Sequence, residues 1–178
     1  MTRITYVLGT TCVGKSTLIE KAAEYSKDVH IIQVGKELRR RHPPEYFQGK
    51  GAMDFTEHEV EEIFSEEVHK AAMLGKCEIL VDGNPRSIEQ LYLLGLFPAI
   101  EPRFWWINAK ESLVEKWLNK RFAGDYDGRE LAQQRIINDR VQLYPLLFTL
   151  QYEHDVQFVC INMVEGFGYS LFFGDEGI

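Results

Sequence analysis

The chain has 178 residues, of which 45% are hydrophobic and 26% charged, as expected for one folded domain with a sizeable core. No run approaches the roughly 20 apolar residues that a membrane helix needs, so we expect no membrane association. Twenty Lys and Arg against 27 Asp and Glu give a net charge of −7, which disfavours a polynucleotide substrate. Any phosphate group that the protein binds must therefore be held locally.

Short apolar runs alternate with longer helix-like segments along the whole chain, which is typical of βαβ units around a parallel sheet. The predicted strands are residues 4–8, 31–34, 78–82, 103–107 and 156–161. The predicted helices are residues 15–25, 57–74, 88–95, 111–122 and 130–152. The predicted fold class is α/β, a five-stranded parallel sheet flanked by helices.

Two polar stretches interrupt this alternation and read as mobile excursions. The first is residues 39–55, with Pro43 and Pro44, and the second is residues 122–129, with Gly124 and Gly128. Within a single domain over residues 1–178, we expect a core of residues 1–38, 75–121 and 130–164, a flap over residues 39–74 and a short lid over residues 122–129. The tail, residues 165–178, has no assignment.

The cysteines and the N-terminal residues indicate the cellular compartment. Cys12, Cys77 and Cys160 are odd in number and far apart, without the spacing of a zinc site, and favour a reduced, cytoplasmic setting. The apolar run before Gly9 is too short for a secretory signal, so we expect no cleaved leader.

The first predicted strand runs directly into a phosphate-loop pattern, GxxxxGK[ST], which in turn opens a helix. We expect the eight residues of the pattern and the next residue to bind ATP: Gly9, Thr10, Thr11, Cys12, Val13, Gly14, Lys15, Ser16 and Thr17. Successive backbone N–H groups and the positive end of the helix can cradle phosphates. Lys15 would lie along the β- and γ-phosphates, and the Ser16 hydroxyl would bind Mg²⁺.

The third predicted strand ends at Asp82, and the sequence continues Gly83-Asn84-Pro85-Arg86. Ligands of α/β proteins lie at the carboxyl ends of parallel strands, so we expect Asp82 to support Mg²⁺ through water. Arg86 follows closely enough to reach the same site.

These segments resemble the adenylate kinase-like nucleoside monophosphate kinases, and the resemblance covers nearly the whole chain. The segment from Asp82 to Arg86 is similar to the family motif DG[FY]PR, and Gln90 follows four residues later, as in that family. Gly35-Lys36-Glu37-Leu38-Arg39 is similar to GDLLR, and Lys50-Gly51-Ala52-Met53 to the segment that closes over the acceptor nucleoside.

The resemblance implies a set of roles. Catalytic residues would be Lys15, Arg86, Arg121 and Arg135. Acceptor-binding residues would be Gly35, Arg39, Met53, Gly83, Arg86 and Gln90, with Gln90 reading the base. The implied reaction uses ATP and Mg²⁺ to convert a nucleoside or deoxynucleoside monophosphate to the diphosphate.

The chain also departs from the family pattern. Cys12 stands where the family usually has Gly, Ser16 where adenylate kinases usually have Gly, and Val34 where they usually carry Thr. The lid is short as well. These differences leave the acceptor open.

Phosphoryl transfer needs aligned phosphates and cations, which arginines on mobile segments supply, and a phosphate acceptor needs no general base. A second hypothesis is a P-loop kinase that phosphorylates a hydroxyl on a nucleoside, a small metabolite or a modified DNA base, with Asp82 or an acidic residue of the insert between Arg39 and Gly51 as base. A third is a nucleotide-binding regulatory module without turnover.

Overall fold

The computed structural model describes residues 2–47, 57–93, 102–152, 157–163 and 170–172. The strands are Arg3–Leu8 (β1), Val29–Ile32 (β2), Glu78–Asp82 (β3), Arg103–Ala109 (β4), Gln157–Met163 (β5) and Ser170–Phe172 (β6). The helices are Lys15–Tyr25 (α1), Val34–Arg41 (α2), Glu57–Met73 (α3), Ile88–Leu93 (α4), Glu111–Arg121 (α5) and Tyr126–Tyr152 (α6), with a 3₁₀ turn at Pro44–Phe47.

The strands form one sheet in the order β2-β3-β1-β4-β5-β6. β1 to β5 pair in parallel, and β6 pairs antiparallel with β5. The predicted five-stranded parallel sheet flanked by helices is confirmed, and part of the unassigned tail adds β6 to its edge. The first and third strands are neighbours, so the residues that follow β1 and β3 meet at one edge of the sheet.

The sheet separates two apolar layers. On one face, Tyr6 of β1 is fully buried and its ring stacks on those of Phe64 in α3 and Phe104 in β4. α6 joins this layer through Leu143, Leu146 and Leu150. On the other face, α1 and α5 cover a second cluster that includes Val7, Leu80 and Ile107. Since each central strand is covered on both faces, it reads as a continuous apolar run.

The predicted position of the second strand was wrong. The second strand is Val29–Ile32, not residues 31–34, because Val29 to Ile32 are the residues that pair with β3. Val34 instead begins α2, which the sequence analysis did not predict; Val34 and Leu38, four residues apart, are its buried positions.

The loop predicted over residues 122–129 is shorter than expected. α6 begins at Tyr126, where the Asp125 Oδ1 accepts the Gly128 backbone N–H at 2.9 Å, a side-chain cap of the helix N-terminus. Only the turn from Phe122 to Asp125 separates α5 from α6. Within the part of the chain described above, no helix combines the length and apolar character needed to cross a membrane.

Candidate phosphate-binding site

The phosphate loop, residues 9–17, follows β1 and ends in the first turn of α1, as the sequence predicts. Gly9 has φ 149°, and a Cβ there would stand 2.6 Å from the Ile107 carbonyl oxygen, so only glycine fits. Gly14 precedes α1 in the left-handed region, and no side chain caps this helix start. The first N–H groups of α1 therefore remain available to an anion.

Cys12 also lies in the left-handed region of backbone conformation, with φ 63°, where the Cβ of any residue other than glycine is disfavoured. Its partly buried thiol receives a contact from Arg121 Nη1 at 3.8 Å. The loop thus carries backbone strain at the position where the family pattern has glycine.

The Lys15 ammonium is folded back onto its own loop. Its Nζ donates to the carbonyl oxygens of Gly9 and Thr10, both at 2.7 Å. Burial, followed by the positive charge of Arg86, lowers the pKa of Lys15 to about 8, although Asp82 and Asp139 act in the opposite direction. An anion placed beside Lys15 would favour its charged form.

Ser16 and Asp82 meet where β3 ends and α1 begins. The Ser16 hydroxyl donates to Asp82 Oδ2 at 2.7 Å, and Gln33 Nε2 approaches the same oxygen at 3.2 Å. Both groups offer the hard oxygen atoms that Mg²⁺ prefers, one directly and one through water. The residues present therefore fit a Mg²⁺ ion.

Arg86 lies beside this pair and close to Lys15. Its Nε donates to the Gly83 carbonyl at 3.0 Å. Gly83 has φ 75°, and a Cβ there would stand 3.5 Å from Arg86 Nη2 and 3.6 Å from Lys15 Cε. The two cationic side chains thus flank Gly83, an arrangement that suits an anion between them.

Gln90 is only 7% exposed, and its Oε1 accepts the backbone N–H of Arg86 at 2.9 Å. The backbone N–H of Gln90 in turn donates to the Ser87 hydroxyl oxygen at 3.2 Å. Gln90 therefore fixes the turn that carries Arg86, and its role in reading an acceptor base stays a prediction.

The other predicted residues lie farther from these contacts. Arg121, at the end of α5, is exposed, reaches Cys12, and has its guanidinium 5.5 Å from the Phe122 ring centroid. Gly35, Arg39 and Arg135 are exposed on α2 and α6, and among the described residues neither arginine makes a hydrogen bond to the loop. Met53 lies outside the described residues. Val13 is buried, and Thr17 is exposed on the first turn of α1.

Asp139 is a residue of the site that the sequence did not predict. Its side chain is 11% exposed, and Oδ2 accepts both the backbone N–H of Thr11 at 2.6 Å and the Thr11 hydroxyl at 2.8 Å. Its Oδ1 accepts Arg86 Nη1 at 3.3 Å. The available signal was its place on α6, one helical turn after Arg135.

The chain was compared with known families and structures. No family model and no curated protein matches it. A chain of the PezAT chromosomal toxin–antitoxin system of Streptococcus pneumoniae is similar in structure, with a TM-score of 0.59, 18% identity and coverage of 91% of this chain and 68% of that one. A sugar kinase from Janibacter sp. HTCC2649 has a TM-score of 0.56 and 16% identity, with coverage of 91% and 86%.

The chain has a P-loop kinase-like fold. At these identities the similarity concerns the fold alone, and the closer resemblance to the adenylate kinase-like enzymes stays a prediction. Within this P-loop kinase-like fold, the phosphate loop, Asp82 and Arg86 all lie at the carboxyl edge of β1 and β3.

Proposed function

We propose that the protein is a phosphotransferase that moves the γ-phosphate of ATP onto a nucleoside or deoxynucleoside monophosphate. The observation that carries this proposal is the approach of Lys15 and Arg86 to Gly83 beside the Ser16–Asp82 pair. One cation comes from the donor loop and the other from the turn after β3. A phosphoryl group passing between two nucleotides needs cations from both sides.

The donor nucleotide would be held by the loop. Its phosphates would take backbone N–H groups at the start of α1, and its oxygens would replace the Gly9 and Thr10 carbonyls as partners of Lys15. Because these donors are neutral backbone groups and one lysine, the negative net charge of the protein does not oppose binding.

Ser16 and Asp82 would hold Mg²⁺, directly through the hydroxyl and through water at the carboxylate. When bound, the ion neutralises charge on the phosphate oxygens and orients them. Gln33, which contacts the same Asp82 oxygen, would keep the carboxylate in place.

On the acceptor side, Arg86 would bind the phosphate of the monophosphate, and Arg39 would join it. One oxygen of that phosphate attacks the γ-phosphorus, the bond to the bridging oxygen breaks, and ADP leaves. A phosphate dianion attacks without a general base. Among the described residues, Asp82 and Asp139 are carboxylates in contact with this site, and both already accept hydrogen bonds, which favours a phosphate over a hydroxyl as acceptor.

The exposed arginines suit a site that closes over its substrates. Arg121 and Arg135 lie on either side of the turn between α5 and α6. Movement of this turn would bring them to the transferred group and would exclude water, which suppresses hydrolysis of ATP.

A coupled assay for ADP formation across the common ribo- and deoxyribonucleoside monophosphates tests the proposal. We expect at least one monophosphate to stimulate ADP release from Mg²⁺–ATP. Nucleosides and simple sugars serve as hydroxyl acceptors in the same panel. Stimulation by hydroxyl acceptors alone, or by none of the compounds, contradicts the proposal.

The substitution Arg86→Ala probes the acceptor cation. We expect transfer to fall by about 100-fold or more, with the affinity for a non-hydrolysable ATP analogue changed by less than about threefold. Arg40→Ala is the matched control, because Arg40 is exposed and pairs with Glu37 on the surface of α2. Equal loss of transfer and ATP affinity in Arg86→Ala would instead assign Arg86 a structural role.

A further inference from the structure

Asp139 connects the donor loop to the acceptor arginine. Its Oδ2 is bound twice by Thr11, through the backbone N–H at 2.6 Å and the hydroxyl at 2.8 Å. Its Oδ1 accepts Arg86 Nη1 at 3.3 Å. Thr11 belongs to the phosphate loop after β1, and Arg86 to the turn after β3, so one carboxylate on α6 contacts both halves of the site.

The surroundings of Asp139 leave its carboxylate little freedom. The side chain is 11% exposed, and the side chain of its partner Arg86 is 27% exposed. A carboxylate removed from water is retained where donors satisfy its oxygens, and here three donors do so. Arg86 makes a second hydrogen bond at the same time, because its Nε donates to the Gly83 carbonyl. The guanidinium is thus held at two points.

Asp139 also lies on the helix that follows the turn between α5 and α6. Arg135 is exposed and lies four residues before Asp139 on α6. The two residues are therefore neighbours on the helix surface. A displacement of α6 would be transmitted through Asp139 to Thr11 and Arg86.

We infer that Asp139 is a positioning residue that sets the orientation of Arg86 relative to the phosphate loop. This inference rests on the proposed function, in which Arg86 binds the acceptor phosphate. Asp139 itself is not required to touch either substrate. It acts by holding the loop and the arginine in the arrangement that aligns donor and acceptor, where misplacement by about 1 Å can cost on the order of 100-fold in rate.

Asp139→Asn is the direct test, because it keeps the size of the side chain and replaces one acceptor oxygen with an NH₂ donor. That donor must face either the Thr11 N–H or the Arg86 guanidinium. We expect kcat to fall by about 10- to 100-fold, with the KM for ATP changed by less than about threefold. Glu130→Gln makes the same chemical change at an exposed position of α6 and should behave as the parent protein.

A double-substitution cycle separates positioning from general stability. Arg86→Lys keeps a positive charge but cannot make the same two-point contact. If Asp139 acts through Arg86, Asp139→Asn lowers kcat much less in the Arg86→Lys background, by less than about threefold. Equal losses in both backgrounds, or no loss in the parent, overturn the inference.

A measurement without turnover separates this inference from the proposed function. Hydrogen exchange of the Thr11 amide, followed by NMR, should be faster in Asp139→Ala, which removes both carboxylate oxygens, than in the parent protein and in the surface control Glu130→Ala. If no acceptor is phosphorylated but this amide loses protection, the proposed function fails and the link between Asp139 and the loop holds. Unchanged Thr11 exchange in Asp139→Ala overturns the link, whatever the result of the assays.

Discussion

Cys12 occupies a backbone conformation that favours glycine, and this has a measurable consequence. We expect Cys12→Gly to raise the free energy of unfolding by about 1 kcal/mol, because glycine removes the Cβ that opposes φ 63°. Cys12→Ala is the control, since it also removes the thiol but keeps the Cβ. Denaturant unfolding of both variants checks the prediction, which fails if alanine stabilises the protein as much as glycine.

Lys15 should take up protons when a nucleotide binds. Burial, and then Arg86, lowers its pKa to about 8 in the nucleotide-free protein, and phosphates beside it raise the pKa again. At pH 8 we expect uptake on the order of half a proton, measured by calorimetry of Mg²⁺–ADP binding in buffers of different ionisation enthalpy. Lys15→Arg should abolish the uptake because the guanidinium stays charged. Equal uptake in both proteins would exclude Lys15 as its source.

The lowered pKa of Lys15 also makes the free energy of unfolding depend on pH. Between about pH 8 and the ordinary value of 10.5, the folded protein binds fewer protons at Lys15 than the unfolded chain does. The contribution of Lys15 to the free energy of unfolding therefore rises with pH across this window.

At the residue scale, the sequence predicted the parts of the site that are contiguous. The loop pattern and the segment from Asp82 to Arg86 are each defined within a few residues, so their strand-end positions follow from the alternation of elements. Asp139 could not be found this way, because its partners Thr11 and Arg86 lie 128 and 53 residues away in the chain. Only tertiary contact gives it a role.

At the scale of elements, α3 is joined to the edge strand β2 through Glu67 and His30, whose Oε2 and Nε2 are 2.8 Å apart. Burial acts to raise the pKa of Glu67, but hydrogen bonds from His30 and Lys70 outweigh it, and the pKa lies below its ordinary value of 4.5. The carboxylate therefore stabilises the fold above pH 4.5, and this contribution is lost as the pH falls through its lowered pKa.

Glu67→Gln tests this link. We expect it to lower the free energy of unfolding at pH 7 by about 1–3 kcal/mol, since it leaves a nearly buried His30 with a poorer partner. The difference in the free energy of unfolding between Glu67→Gln and the parent protein should become smaller below pH 4.5. Glu66→Gln, next to it on α3, should cost less than about 0.5 kcal/mol, because Glu66 is half-exposed in its pair with Arg41. Similar losses in the free energy of unfolding in the two variants at pH 7 would contradict the expectation that the nearly buried pair contributes more than the exposed one.

The starts of α2 and α6 differ from what the pattern of apolar residues predicts. The start of α2 reads as the end of an apolar strand because Val34 follows Val29 to Ile32 after a single polar residue, Gln33. Pairing with β3 decides the strand, and the four-residue spacing of Val34 and Leu38 decides the helix. Asp125 similarly decides the start of α6 through its hydrogen bond to Gly128, which overrides the helix-breaking tendency of the glycine.

At the scale of the whole molecule, the sheet order makes β1 and β3 neighbours and so brings the phosphate loop to Asp82 and Arg86. Alternation of strands and helices predicts a parallel sheet, but the strand order comes from the structure. In the basic run on α2, Arg40 and Arg41 are paired with Glu37 and Glu66.

The central claim is that the acceptor group is a phosphate. The most direct measurement is ³¹P NMR of the product formed from Mg²⁺–ATP and the best acceptor in the panel. We predict diphosphate signals equal to twice the ATP consumed, together with loss of one acceptor phosphomonoester per ATP, and a rate about 100-fold lower with Arg86→Ala. A new phosphomonoester signal, or inorganic phosphate alone, would contradict the account.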